Sequence, residues 1–538
     1  MRADTAETIF HNGVVWTGVG GDPRATALAV SGGRIVAVGD SPRVLALRGR
    51  GTLVVDLAGQ TLIPGFVDAH AHIWKIGHLL TTLLDLRGAS SLTGLGAQLR
   101  ERASRLAPGA WLQGRGYNEA RFPDGRPPTR ADLDTVVADR PVVLMRTCAH
   151  IVVCNSVALE RAGIARDTAT PPGGEIDRGP DGEPTGVLRE AAMGLVLRHV
   201  PPPSAADYEA MVTAALRHQV SLGITSTNDA GVAPELLDRY RQMDQDGRLP
   251  IRINVMALRL VDGVGAVPLP AHHHRSDRLR IDTVKFFADG GLSGATAALS
   301  VPYRHADTRG VLRFEYDEFL ALAREAHQAG WRIATHAIGD VAIDQVLRVY
   351  EALPLTRSHS LRAGGRGAMR HRIEHFGLPG ADHLARAARL GVIAVPQTVF
   401  IHALGRNFRQ YLPDALLART YPVRSMLDAG VTVALSSDAP VVEDDSPLRG
   451  IQAAMLRRDE DGHGIAVGEA ISLDEALDAY TRGGAIASGD DGERGCLREG
   501  MLADLAVLSG NLHETPAEEI ISLRVTQTWV GGDQAYSG

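Results

Sequence analysis

Two histidines stand one residue apart in His70-Ala71-His72, at the end of the apolar run LIPGFVDAHAH. Successive side chains of an extended strand point to opposite faces, so residues two apart share a face. Both imidazoles can then reach one ion, and imidazole is the commonest metal ligand near neutral pH. The spacing alone fits a pair of structural histidines equally well. The company it keeps favours a metal. His336 closes the run RIATHA, His375 closes HRIEH, and Asp438 follows VALSS. Each of these polar residues falls where an apolar run stops. Three or four nitrogen and oxygen ligands suit zinc, and also manganese or iron.

Lys285 lies inside a further apolar run, IDTVKFFADG. A buried ammonium is costly unless it is paired or neutralised. Two readings stand open. The lysine pairs with a neighbouring carboxylate such as Asp289, or carbon dioxide carboxylates it and makes it a bridge between two metals.

The chemistry implied is hydrolysis. A divalent cation lowers the pKa of bound water from about 15.7 to about 7, and two cations roughly 3.5–4 Å apart can share the resulting hydroxide. Asp438 is placed to accept the proton of the attacking water and return it to a leaving nitrogen. Tyr117 and His150 are candidates to hydrogen-bond the substrate or its developing oxyanion. Asp229 and Gln397, each closing an apolar run, are further candidates for the pocket. All four also fit structural roles. Arg424, at a helix start in YPVRSMLDAG, reads as structural. The Gly-rich SGDDGERG (488–495) reads as a connecting loop and not a phosphate cradle, since no Lys-Ser/Thr follows it.

Eight strand-like runs must position these residues: TLIPGFVDAH, GITSTND, IRINVMAL, IDTVKFFAD, WRIATHA, HRIEHF, GVIAVPQ and VTVALSSD. Helical patterns lie between most of them, such as YDEFLALAREAHQAG before the fifth. Repeated strand–helix units predict a parallel sheet, and eight of them predict a (β/α)8 TIM barrel, whose C-terminal strand ends converge on the active site. The first two runs are about 150 residues apart, from His72 to Gly223, far more than one strand–helix unit needs. The interval must hold an insertion at the catalytic face. Both chain ends are β-rich with hairpin chemistry and could pair into one small sheet domain.

The chain has 538 residues, 44% hydrophobic and 22% charged, which are ordinary proportions for a globular protein. With 56 basic and 63 acidic residues the net charge is −7. That, and the lack of a basic block, argues against nucleic acid as a partner. The run His272-His273-His274 reads as a solvated loop. The three cysteines, Cys148, Cys154 and Cys496, form no CxxC and no disulfide framework is expected. The start shows no signal peptide, and the longest apolar region, GVIAVPQTVFIHALG, is too short for the roughly 20 residues a membrane helix needs. The expectation is a cytoplasmic enzyme acting on a small molecule without a membrane partner. Monomer and homodimer are both compatible with the sequence.

The longer motifs resemble the amidohydrolase superfamily, specifically its YtcJ-like group, which includes N-substituted formamide deformylases. They are LIPGFVDAHAH, GRGYNEARFPDGRPPTRADLD, PVVLMRTCAHIVVCNSVALERAGI, GGEIDRGPDGEPTGVLRE, VKFFADGGLSGATAAL, THAIGDVAID, HRIEH, SSDAPV and GCLREGMLADLAVL, which run nearly end to end. The resemblance implies a barrel at 62–493, an inserted substrate-pocket subdomain at about 78–205, and a small composite β-sandwich from 1–61 and 494–538. It implies a centre of two Zn2+, with Mn2+ or Fe2+ as alternatives, held by His70, His72, carboxylated Lys285, His336 and His375, with Asp438 as ligand and proton shuttle. The implied reaction is hydrolysis of an amide or N-substituted formamide-like C–N bond. One departure concerns the insertion. Where relatives often carry an aromatic residue between the histidine and Asn-Ser, this chain has His150-Ile-Val-Val-Cys154-Asn155, so the pocket wall differs. Deaminases of cyclic amidines usually add a Glu shortly after the strand-5 histidine, whereas His336 is followed by Ala-Ile-Gly-Asp. Ester, carbamate or cyclic-amide hydrolysis on the same centre is the alternative. A non-catalytic metal- or ligand-binding barrel is disfavoured by the presence of both Asp438 and the HxH pair.

Overall fold

The structure is a computed structural model and describes residues 5–19, 24–147, 151–171, 174–261, 265–292, 294–304, 307–353 and 369–538. A curled parallel sheet carries the candidate ligands. Its strands are β1 (Phe66–Ala71), β2 (Ile224–Val232), β3 (Arg252–Leu258), β4 (Leu279–Phe287), β5 (Arg332–Ala337), β6 (Arg372–His375), β7 (Ile393–Val395) and β8 (Thr432–Val433), paired in that order. Every neighbouring pair is parallel. The segment after β8 returns to the first strand, with Asp438 N donating to His70 O at 2.8 Å and His72 N to Ala439 O at 2.9 Å. β1 is buried at all six positions, as strands covered on both faces must be.

The connections follow helical periodicity. In the helix Tyr316–Gln328 the buried residues are Phe319, Ala323, Ala326 and His327, one stripe against the sheet, and Asp317 and Glu318 occupy the first turn, where the helix dipole favours anions. Helices Pro234–Gln245, Asp340–Glu351, Ala381–Leu390 and Val423–Asp428 lie between other strand pairs. The β3–β4 connection differs. Its described residues hold a two-stranded ladder, Leu260–Val261 with Gly265–Ala266, and the pair His274–Arg275 laid against β4.

Several boundaries differ from those the sequence suggests. TLIPGFVDAH is not one strand. Thr61–Pro64 belongs to a terminal sheet and Phe66–Ala71 to the parallel sheet. Gly65 separates them, and a Cβ there would lie 2.1 Å from Thr225 Cγ2, so the chain changes sheets where only glycine fits. In VTVALSSD only Thr432–Val433 is strand, and the rest turns toward β1. The histidine run is not wholly solvated either. His273 packs on Trp331 with ring centroids 4.1 Å apart, and His274 Nε2 meets Asp244 at 2.8 Å.

Strands from both chain ends pair. Thr61–Pro64 runs antiparallel to Leu505–Leu508 in a six-stranded sheet that continues to Val525–Val530 and Asp533–Ser537. A four-stranded sheet of residues 6–56 shares its core through Phe10, Leu28, Ile35, Leu62, Leu505 and Trp529. Phe10 and Trp529 meet edge to face at 5.1 Å.

Trp74–Ala215 forms a compact unit of its own. Six strands order its mixed sheet, and Leu86, Leu112, Tyr117, Leu133 and Leu144 fill one of its cores. Cys154 is a buried free thiol and Cys496 is also free, while Cys148 lies outside the described residues. Among the described residues no helix is long and apolar enough to cross a membrane.

Candidate metal centre

The ends of β1, β5 and β6 and the segment after β8 bring four imidazoles and one carboxylate together. His70 Nε2 and His72 Nε2 lie 3.3 and 3.2 Å from Asp438 Oδ1, and His375 Nδ1 is 4.0 Å from Asp438 Oδ2. Ring centroids are 5.1 Å apart for His70 and His375, and 4.3 Å for His336 and His375. Lys285 of β4 is fully buried, with Nζ 4.8 Å from the centre of the Phe287 ring, which in turn packs on His336. The lysine charge is close enough to depress the basicity of both His70 and His375.

The donor set of His70, His72 and Asp438 fits a divalent metal, because both imidazoles are held by Nδ1 and turn Nε2 toward Asp438. His72 Nδ1 donates to Ala230 O at 2.8 Å, which leaves the lone pair on Nε2, the nitrogen facing Asp438. His70 Nδ1 donates to Glu374 Oε2 at 2.5 Å. His336 Nε2 donates to Gly290 O at 3.1 Å. His375 Nδ1 donates to Gln397 Oε1 at 2.6 Å. Such outer contacts are how metal-binding histidines are oriented. Burial pulls His70 far below the ordinary imidazole value, and burial followed by His336 pulls His375 down to about 3, so both stay neutral. Among the described residues no hydrogen-bond donor reaches the buried Asp438 Oδ1. The Nε2 lone pairs of His70 and His72 therefore face that carboxylate oxygen, an arrangement a cation satisfies.

The backbone at the centre is strained. His375, Phe376 and Asp438 hold φ of +69°, +45° and +54°, the left-handed region that non-glycine residues avoid at a cost of about 1–3 kcal/mol each. The Asp438 amide bond to His70 O and the Phe376 amide bond to Glu374 O at 2.9 Å help hold these turns.

Of the pocket candidates, Gln397 orients His375. Its amide nitrogen is taken by Val395 O at 2.9 Å and Ser436 Oγ at 2.8 Å, so only its oxygen can face the imidazole. Asp229 accepts from Ile73 N at 2.9 Å and Tyr240 OH at 2.5 Å, and so fixes the chain just past the HxH pair. Asp289 accepts from the amides of Ile338, Gly339 and Ala298. Tyr117 ends the strand Leu112–Tyr117 and is buried in the core of the inserted unit. His150 lies outside the described residues.

Sequence reading missed the supports beneath the ligands. Glu374 is buried and takes both Nε and Nη2 of buried Arg372, at 2.8 and 2.9 Å, besides His70. Asp68 accepts from His70 N and Ser437 N, both at 3.1 Å, and from Ser437 Oγ at 2.5 Å, tying the HxH strand to the Asp438 turn. Period-two spacing was the available signal. Arg372 and Glu374 share a face, as do Asp68, His70 and His72.

The sequence matches the amidohydrolase family over residues 53–536. It is 30% identical to the putative amidohydrolase YtcJ of Bacillus subtilis, over 98% of this chain and 99% of that protein. It is also 30% identical to N-substituted formamide deformylase of Arthrobacter pascens, over 95% of each chain. Among solved structures, an uncharacterized metal-dependent hydrolase from Pyrococcus horikoshii superposes with a TM-score of 0.76 at 26% identity, covering 95% of this chain and 99% of that one. On its sequence, its curled parallel sheet and the donor set at the strand ends, the chain belongs to the amidohydrolase family.

Proposed function

We propose that this metal-dependent hydrolase cuts a C–N bond of a small molecule, an amide or N-substituted formamide-like bond, on two divalent cations. The curled sheet is read as a closed (β/α)8 barrel with the centre on its C-terminal face, and the two terminal sheets as a β-sandwich. His70, His72 and Asp438 would hold one ion. His336 and His375 would hold the other, with Lys285, carboxylated on Nζ, between them. Zinc suits this donor set best, with manganese or iron as alternatives.

When bound, such cations supply Lewis acidity, which polarises a carbonyl and makes water a far stronger acid. The rest falls to side chains. Asp438 accepts the proton of the attacking water and delivers it to the leaving nitrogen, which departs poorly unless protonated. The donor-free Asp438 Oδ1, facing two imidazole nitrogens, is the observation that carries the reading. Glu374 and Gln397 keep His70 and His375 in the ligating tautomer, and Asp68 and Ser437 fix the turn that presents Asp438.

The test is metal analysis of the purified protein together with a panel of N-aryl formamides, simple amides, carbamates and esters. Hydrolysis of the formamides or amides, abolished by a chelator and restored by Zn2+ or Mn2+, is the expected result. Full activity after stripping, or cleavage confined to the esters, would overturn it. The similarity to the Arthrobacter pascens deformylase puts N-substituted formamides first in the panel.

A further inference from the structure

The starts of the parallel strands carry a second constellation. A cleft of about 160 Å3 is walled there by Arg252, the first residue of β3, by Arg275, Arg278 and Arg280 around the start of β4, by Arg34 of a terminal sheet and by Arg494 of the 488–495 loop. Six guanidiniums thus share five carboxylates, Asp277, Asp490 and Glu493 in the wall and Asp282 and Asp504 paired beside it.

The pairing leaves charge over. Arg252 is satisfied by Asp504, with Nε at 2.7 Å and Nη2 at 2.9 Å. Arg34 meets Glu493 at 2.9 Å. Arg280 meets Asp282 at 2.5 Å and Asp490 at 3.0 Å. Asp490 is then shared with Arg494 Nη2 at 2.7 Å and with Arg275 at 3.6 Å. Among the described residues Arg278 donates to two carbonyls, Pro250 O at 2.9 Å and Val530 O at 3.3 Å, with Asp504, Asp533 and Asp277 close enough to attract it. Arg494 is 3% exposed, and its Nε and Nη1 are buried without a partner. Burial pulls both Arg278 and Arg494 below the ordinary arginine range, reinforced by repulsion from Arg252 and opposed at Arg494 by Asp490. The cleft is built and polar, with one guanidinium more than the five carboxylates around it.

We infer that this cleft is a binding site for a small phosphate-class oxyanion, separate from the hydrolytic centre. Guanidiniums present planar forks that match phosphate oxygens in pairs. A small oxyanion such as phosphate or pyrophosphate offers those forks several oxygens at once. The loop 488–495 lacks a Lys-Ser/Thr, and its buried Arg494 adds charge from behind the wall, held by Asp490 at 2.7 Å.

The full-length protein is titrated with phosphate and with pyrophosphate, against chloride at matched ionic strength, by calorimetry and thermal unfolding. Saturable one-site binding with a rise in Tm, tighter for pyrophosphate, is expected. The double variant Arg275→Gln/Arg278→Gln should weaken it at least ten-fold while metal content and hydrolysis stay at the wild-type level. Arg275→Gln alone, at a side chain 66% exposed, should weaken it several-fold and guards against a misfolded double variant. Three results would overturn the assignment: no saturable binding, binding unchanged in both variants, which would place the anion at the metal centre or elsewhere, and binding to anionic phospholipid vesicles without binding to either soluble anion.

Discussion

The parallel sheet begins with arginines and ends with histidines. Arg252, Arg332 and Arg372 are the first residues of β3, β5 and β6, and Arg280 is the second of β4. His70, His336 and His375 stand at the last or next-to-last positions of β1, β5 and β6. The two ends obey different rules. Arg252, Arg280 and Arg372 are permanent charges matched by carboxylates within the fold. Burial holds His70 and His375 below the ordinary imidazole value, and the Nε2 atoms of His70 and His72 face the Asp438 Oδ1 carboxylate oxygen. Two of the five inner groups, His375 and Asp438, also sit in left-handed backbone. Within one sheet, then, one end carries charge paired within the fold and the other carries unmatched acceptors on strained backbone.

Asp438→Asn is the sharpest way to break that contrast. It removes the proton acceptor and keeps the size and one ligand oxygen. Turnover should fall on the order of 10^3-fold, within the range of general acid–base contributions, while metal content holds. Steady-state kinetics with metal stoichiometry reads both, and near-normal turnover would retire the shuttle.

Arg372→Met tests the constructed end. It strands the buried Glu374 carboxylate and should destabilise the fold by about 3–5 kcal/mol, read from urea unfolding. Adding Glu374→Leu should recover much of that loss, because an apolar pair can replace a buried ion pair. The double variant should still bind metal weakly, since Glu374 also holds His70. Glu374 is thus the residue where the two rules meet. Glu374→Gln alone should lower metal affinity by about 10–100-fold, measured by competition with a chelating dye, with little change in unfolding.

How much of this was legible before the fold was known follows the same division. The ligand candidates were readable because a polar residue terminating an apolar run is conspicuous, and strand alternation puts His70 and His72 on one face. The order of the sheet was readable because parallel strands buried on both faces are continuous apolar runs. The supports were less so. Glu374 sits inside HRIEH, where local pattern says only that a charge is buried, and its partner His70 is 304 residues away. Asp229 reads as a pocket residue by position, yet its oxygens are taken by a backbone amide and Tyr240, bonds that depend on a helix packing behind the strand. The break at Gly65 was hidden because glycine within an apolar run marks a close approach without naming what approaches.

The smallest expected effect concerns protons. His375 falls from an ordinary 6.5 to about 3, through burial first and then His336, and burial depresses His70 in the same direction. The unfolded chain therefore takes up protons before the native one does. The stability these neutral imidazoles contribute is complete above about pH 6.5 and drains as pH falls toward about 3. In metal-stripped protein the urea midpoint should decline over that window, and His375→Asn should make the decline shallower. Arg275→Gln changes an exposed guanidinium away from the imidazoles, so the imidazole part of the decline should stay as it is. A wild-type slope in His375→Asn would mean that the imidazoles at the strand ends are solvated and charged in the native protein, and the distinction between the two ends of the sheet would lose its electrostatic basis.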